Sequence, residues 1–137
     1  MGTVYEDITL KNVGDVSAVA RGYIKEPEIR ETTIQVVVDT GAPTLIINEE
    51  VQKQLGLMTT SLCQVNVADG GERICKITEP VEVHWKNRSM TCQPWVLPGA
   101  PRVLLGAIPL EDMDLIVDTR QGKLVGAHGD LPLGHIY

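Results

Sequence analysis

The β-branched run Val36-Val37-Val38 ends in a carboxylate, Asp39, which is followed by Thr40, Gly41 and Ala42. Three consecutive valines favour an extended strand and suit one buried on both faces. A rigid strand of this kind aims whatever comes after it. Here that is one acid in a turn of small residues. Gly41 lets the main chain bend and leaves no side chain in the way. Thr40 carries a hydroxyl able to tie the turn to a neighbour. Downstream, Val103-Leu104-Leu105-Gly106-Ala107 repeats the pattern of apolar strand and then Gly-Ala, without the acid.

The rest of the chain reads mostly as strand. Ile8 to Asn12 and Val16 to Ile24 are expected to form a hairpin around Asn12-Val13-Gly14-Asp15, and Lys25 to Arg30 a charged loop. Thr32 to Asp39 is the central strand and Thr44 to Ile47 a short one. Asn48 is a helix N-cap, with Glu49 and Glu50 at the positive end, Val51 and Leu55 on one face, and Gly56 as the stop. Leu62 to Ala68 and Glu72 to Ile77 flank the hairpin tip Asp69-Gly70-Gly71. Val81 to Trp85 and Met90 to Leu97 flank a second turn. Ile108 to Met113 is a short helix with Pro109 in its first turn. Asp114 to Asp118 and Lys123 to Ala127 make a last hairpin. The Gly- and Pro-rich stretch 129–137 reads as an arm. Residues 1–137 read as a single domain of size sufficient for a modest core.

Charge and composition narrow the function classes. The net charge of −6 and the lack of a basic cluster argue against nucleic acid or an anionic membrane as partner. No apolar run has membrane-spanning length, and Met1 to Lys11 is polar and acidic, unlike a secretory signal, so a cytoplasmic location is expected. Cys63, Cys75 and Cys92 include no Cys-x-x-Cys unit, which fits reduced thiols. His84, His128 and His135 lack the spacing of a zinc site, and no serine sits in a nucleophile elbow. No metal and no cofactor is implied. With no Phe, the core must come from Val, Leu and Ile.

Asp39-Thr40-Gly41-Ala42, the helix-like 48–57, Leu104-Leu105-Gly106, Leu115-Ile116-Val117-Asp118 and Leu124-Val125-Gly126 together resemble the retropepsin-like aspartic proteases. This is the single-lobe, homodimeric kind found in retroviruses and, in cellular form, in bacteria and archaea. The resemblance implies an all-β, pepsin/retropepsin-like single lobe, closed and barrel-like with one or two short helices, working as a two-fold homodimer. It also implies approximate two-fold symmetry within the lobe, each half threading a strand through a wide loop. Hydrolysis of a peptide bond without metal or covalent intermediate needs one carboxylate to take a proton from water and a second, protonated one to polarise the carbonyl. Two carboxyls held close cannot both ionise and so share one proton, behaviour well known from aspartic proteases themselves. This chain supplies one candidate, so the partner acid must be Asp39 of an identical copy.

The resemblance assigns further roles. Thr40 would brace the two acids across the dimer, Gly41 would offer its carbonyl to the peptide, and Ala42 would withhold the hydroxyl that stabilises the ionised pair, implying a mildly acidic to near-neutral optimum. Asp69, Gly70 and Gly71 would form the tip of a flap over an extended peptide or unfolded protein substrate. Two positions depart from the retroviral pattern. Pro43 stands where an acidic residue offers its main-chain N–H to the peptide, and Leu45 where Thr or Ser is common. Peptide grip on that side must differ, and a peptide-binding domain without hydrolysis is the alternative. The ending at 129–137 suits an interleaved terminal sheet poorly, so the dimer interface is expected to be built otherwise.

Overall fold

A computed structural model describes residues 2–136. The chain runs β1 (Tyr5–Asn12), α1 (Val13–Ala20), a 3₁₀ turn (Glu26–Glu28), β2 (Glu31–Val38), β3 (Leu45–Ile47), α2 (Glu49–Gln54), β4 (Thr59–Asn66) and β5 (Glu72–Thr78). It continues with β6 (Val81–Trp85), β7 (Arg88–Cys92), β8 (Trp95–Val96), β9 (Leu104–Leu105), α3 (Ala107–Asp112), β10 (Leu115–Asp118) and β11 (Lys123–Gly126). Among the described residues, nine strands form one curled sheet in the order β4-β5-β8-β3-β9-β2-β1-β6-β7, and β10 pairs with β11 as a separate hairpin. The expected closed barrel is not found. The sheet ends at β4 and β7, which do not pair, so it is an open half-barrel.

The feature that positions Asp39 is the place of β9. It lies parallel to β2, with Val37 opposite Leu104 and Val38 opposite Leu105, and antiparallel to β3. The wide loop from β2 to β3 is thus threaded by a strand from about sixty residues on. The core beneath is mostly aliphatic, in a chain that has no Phe. Ile8, Leu10, Val36, Leu45, Ile47, Val81, Val83, Val96 and Leu105 are all essentially sealed from water. The central strand is less enclosed than three valines suggest: Val36 is 1% exposed, but Val37 and Val38 are half-buried.

Two local readings give way. Val16 to Ile24 is not a strand; residues 13–20 are helix α1. Asn12 caps it, its Oδ1 accepting from the Asp15 amide at 3.0 Å, while its Nδ2 donates to the Leu55 carbonyl at 2.8 Å. The alternation Val16, Ala18, Ala20 mimicked a strand, but this cap and the alanines favour helix. Nor is Met90 to Leu97 continuous. Pro94 has no N–H for a ladder, and the chain breaks there so that β8 can leave β7 and pair parallel with β3. Elsewhere the local signals hold. Asn48 Oδ1 accepts from Val51 N at 3.0 Å to cap α2, and Gly56 follows it at φ 61°.

Asp15 and Arg30 pin α1 to β2. Arg30 donates Nε and Nη2 to the two Asp15 oxygens, each at 2.9 Å, and its main-chain N donates to Oδ2. The Arg30 guanidinium holds the Asp15 carboxyl below the usual carboxylate range. Folding therefore favours the ionised form. Its stabilisation is complete above the unfolded value of about 3.9 and is lost as pH falls through the lower folded value. Asp15→Asn should lower Tm at pH 7, and the gap from wild type should close as pH falls below about 4, as thermal unfolding monitored by circular dichroism would show.

Candidate active site

The Asp39 turn is held from below. The Asp39 amide donates to the Leu105 carbonyl at 3.0 Å, continuing the β2–β9 pairing, and Ala42 N closes the turn on the Asp39 carbonyl at 3.1 Å. The first amides of α3 then reach back: Ala107 N donates to Ala42 O at 2.8 Å and Ile108 N to Pro43 O at 3.1 Å. Gly106 makes this approach possible. A Cβ there would lie 2.3 Å from Thr44 O and 2.5 Å from Ala42 O. Leu104-Leu105-Gly106 is thus the floor on which the acid stands.

The carboxylate itself is half-buried. Oδ1 accepts from the Gly41 amide at 2.9 Å, and among the described residues no donor reaches Oδ2 and no cation pairs with Asp39. One oxygen is thereby oriented and the other is left for a water or a second acid. The Thr40 side chain is exposed and Ala42 is buried.

Above the turn stands the β4–β5 hairpin, paired in register from Asn66–Glu72 down to Ser61–Ile77. Its tip is tight: Gly70 N donates to Val67 O, Val67 N to Gly71 O, and Gly71 N to Asp69 Oδ1, each at 2.9 Å. Gly70 has φ 86°, which explains a glycine there. Between hairpin and turn lies a hollow of about 520 Å³. Asp39, Gly41, Ala42 and Pro43 line one side and Val65, Asn66, Val67 and Ala68 the other. Asp69, Gly70 and Gly71 are not in that lining; they project beyond it, exposed, so the wall nearest the acid is 65–68.

Ile46, Cys75, Trp95, Leu97 and Leu104 complete the lining. The sequence alone does not mark Trp95, Ile46, Val65 or Leu97 as cleft residues. The fold settles Trp95 in the lining, whereas Trp85 is core, its Nε1 donating to Glu6 Oε1 at 3.0 Å. Cys75, opposite Cys63 across the hairpin, is a buried thiol whose pKa burial raises, and burial pushes that of Cys92 up to about 12. Neither behaves as an activated nucleophile. Among the described residues, no three His, Cys, Asp or Glu side chains converge as a metal site would need. No helix among them is long and apolar enough to cross a membrane.

Residues 26–112, well over half of the chain, match the family model described as gag-polyprotein putative aspartyl protease. No curated protein matches the sequence. Among solved structures, 22 chains match. One is the crystal structure of the retroviral protease-like domain of Ddi1 from Leishmania major, with a TM-score of 0.57 over 96% of this chain and 94% of that one. The two are 14% identical in sequence, so the likeness is one of fold.

Proposed function

Because the chain belongs to the gag-polyprotein putative aspartyl protease family, we propose that it is an aspartic endopeptidase. Its reacting carboxyls are two copies of Asp39, one from each subunit of a homodimer. The observation that carries this reading is the setting of Asp39: a rigidly held acid with one free oxygen, at the floor of an apolar cleft under a hairpin. Such a cleft accepts an extended peptide and keeps competing water away from the acid.

A place for the second copy supports the reading. Asp39 also borders a hollow of about 710 Å³ on its other side, lined by Thr3, Val4, Val38, Thr40, Leu115 and Ile116 among others. Ile116 there is 51% exposed. An apolar surface beside the acid suits burial by a subunit that brings the second acid with it. On this reading the interface uses the β10–β11 hairpin rather than interleaved chain ends. Thr40, exposed beside Asp39, braces the pair from there, and the hairpin tip at Asp69, Gly70 and Gly71 closes over bound peptide.

In the dimer one carboxylate takes the proton from the attacking water while the other, protonated, donates to the scissile carbonyl. Both ionised or both protonated, the pair fails. The kcat/KM for an unfolded protein such as denatured casein should therefore trace a bell against pH, peaking in mildly acidic to near-neutral solution. Cleavage should be blocked by a statine-type transition-state mimic. A second reading is favoured by Pro43, which lines the cleft without an N–H to offer a peptide. It makes the domain a peptide binder that does not cut. Saturable peptide binding with no cleavage at any pH would establish that alternative and overturn the protease reading.

A further inference from the structure

We propose that the cleft selects peptides bearing acidic side chains near the bond to be cut, recognised by Arg102 on its wall and Arg73 on its hairpin roof. The inference rests on the protease reading for the identity of the site. The hollow above Asp39 does not end at Ile46, Leu97 and Leu104. The same three residues line a neighbouring hollow of about 510 Å³, whose further lining includes Tyr5, Pro101 and Arg102. A peptide extended from Asp39 along this wall runs towards the Arg102 guanidinium.

That guanidinium is preset. Its carbon stands 5.2 Å from the Tyr5 ring centroid, and Nη1 donates to the Tyr5 hydroxyl at 2.5 Å. Contact with the ring and its hydroxyl holds the guanidinium in place, and among the described residues no acceptor takes its other donors. Arg73, on β5, reaches from the hairpin to the same wall, where it donates to the Pro98 carbonyl. Its charge also acts on the Cys75 thiol lining the roof, opposing the effect of burial. The 98–102 loop thus carries one guanidinium, Arg102, and receives a second, Arg73, from the hairpin.

Neither has a carboxylate within ion-pair distance among the described residues. The chain holds 18 acidic against 12 basic side chains, so two arginines without a carboxylate partner at one short loop run against its overall charge. A concave site with uncompensated positive charge concentrates negative ligands, and an arginine fork binds a carboxylate through two parallel hydrogen bonds.

The test uses synthetic peptides that differ only in carrying Glu, Gln or Lys at one position within four residues of the cleaved bond. They are offered to wild type, Arg102→Glu and Arg102→Gln, with Arg21→Glu at the exposed end of α1 as a control of equal charge change. Wild type should favour Glu over Lys by about fivefold or more in kcat/KM at low salt at one position at least, the preference shrinking as salt rises. Arg102→Glu should reverse that order, Arg102→Gln should flatten it, and Arg21→Glu should keep it. An order in Arg102→Glu identical to wild type, or a wild-type preference for Lys, would overturn the proposal. Fluorescence anisotropy of the same peptides on Asp39→Asn separates this from failure of the protease reading. If wild type cuts nothing but these peptides still bind in the order Glu, Gln, Lys, with Arg102→Glu inverting it in that background, the selectivity stands without hydrolysis. If none binds, the selectivity falls.

Discussion

Asp39→Asn should leave the protein folded, with its Tm nearly unchanged, and lower kcat for peptide hydrolysis by at least about a thousandfold. Asn keeps the shape of the side chain and its Oδ1, so the hydrogen bond from Gly41 survives. What disappears is the group that, in the proposed mechanism, takes a proton from water and shares one with its twin. The acid closes no ion pair among the described residues, so little folding energy is at stake. A loss of activity that accompanied unfolding would instead assign Asp39 a structural part. Circular dichroism beside steady-state kinetics tells these apart.

Gly106→Ala is the substitution expected to damage the fold most for its size. The glycine has ordinary backbone angles, φ −94°, so the cost is one of space. The added methyl would meet the carbonyls of Ala42 and Thr44 and the amide of Thr44, all nearer than 3 Å and all main chain. No side chain can swing aside. Either β9 withdraws from between β2 and β3 or the Asp39 turn opens, and both sacrifice hydrogen bonds in the interior. A loss of about 3 kcal/mol or more is expected, equivalent to a fall in Tm on the order of 10 °C. Hydrolysis should fall even where the protein stays folded, because the turn carrying the acid is what moves. Gly70→Ala makes the contrast. No atom lies within 4 Å of a Cβ there, so its cost is the strain of φ 86° alone and should be much smaller.

What could be read from the chain before the structure was local. The strand into Asp39, the turn after it, the Asn48 cap and the β4–β5 hairpin each depend on neighbours in sequence, and each stands where the residues placed it. That a strand threads a wide loop came only through family resemblance, and that Leu104-Leu105 is this strand came from the structure, because pairing with residues 37–38 and 45–46 leaves no periodic mark. Helix α1 was misread for the opposite reason. Over a few residues, Val16, Ala18 and Ala20 alternate as well as any strand, and the deciding contacts are a cap and a long-range bond from Asn12 to Leu55. The cleft wall was hidden too. Ile46, Trp95 and Leu104 are ordinary core-forming residues by type, and only the crossing of β3, β8 and β9 brings them round one acid.

The proposed reaction centre joins two identical acids, each supplied by a different molecule. The direct trial is to let equal amounts of wild type and Asp39→Asn exchange subunits at fixed total concentration and assay peptide hydrolysis. Random pairing leaves about one quarter of the dimers with both acids, so activity should settle near a quarter of that of wild type alone. A value near one half would mean that each copy cuts by itself, and a shared centre would be ruled out.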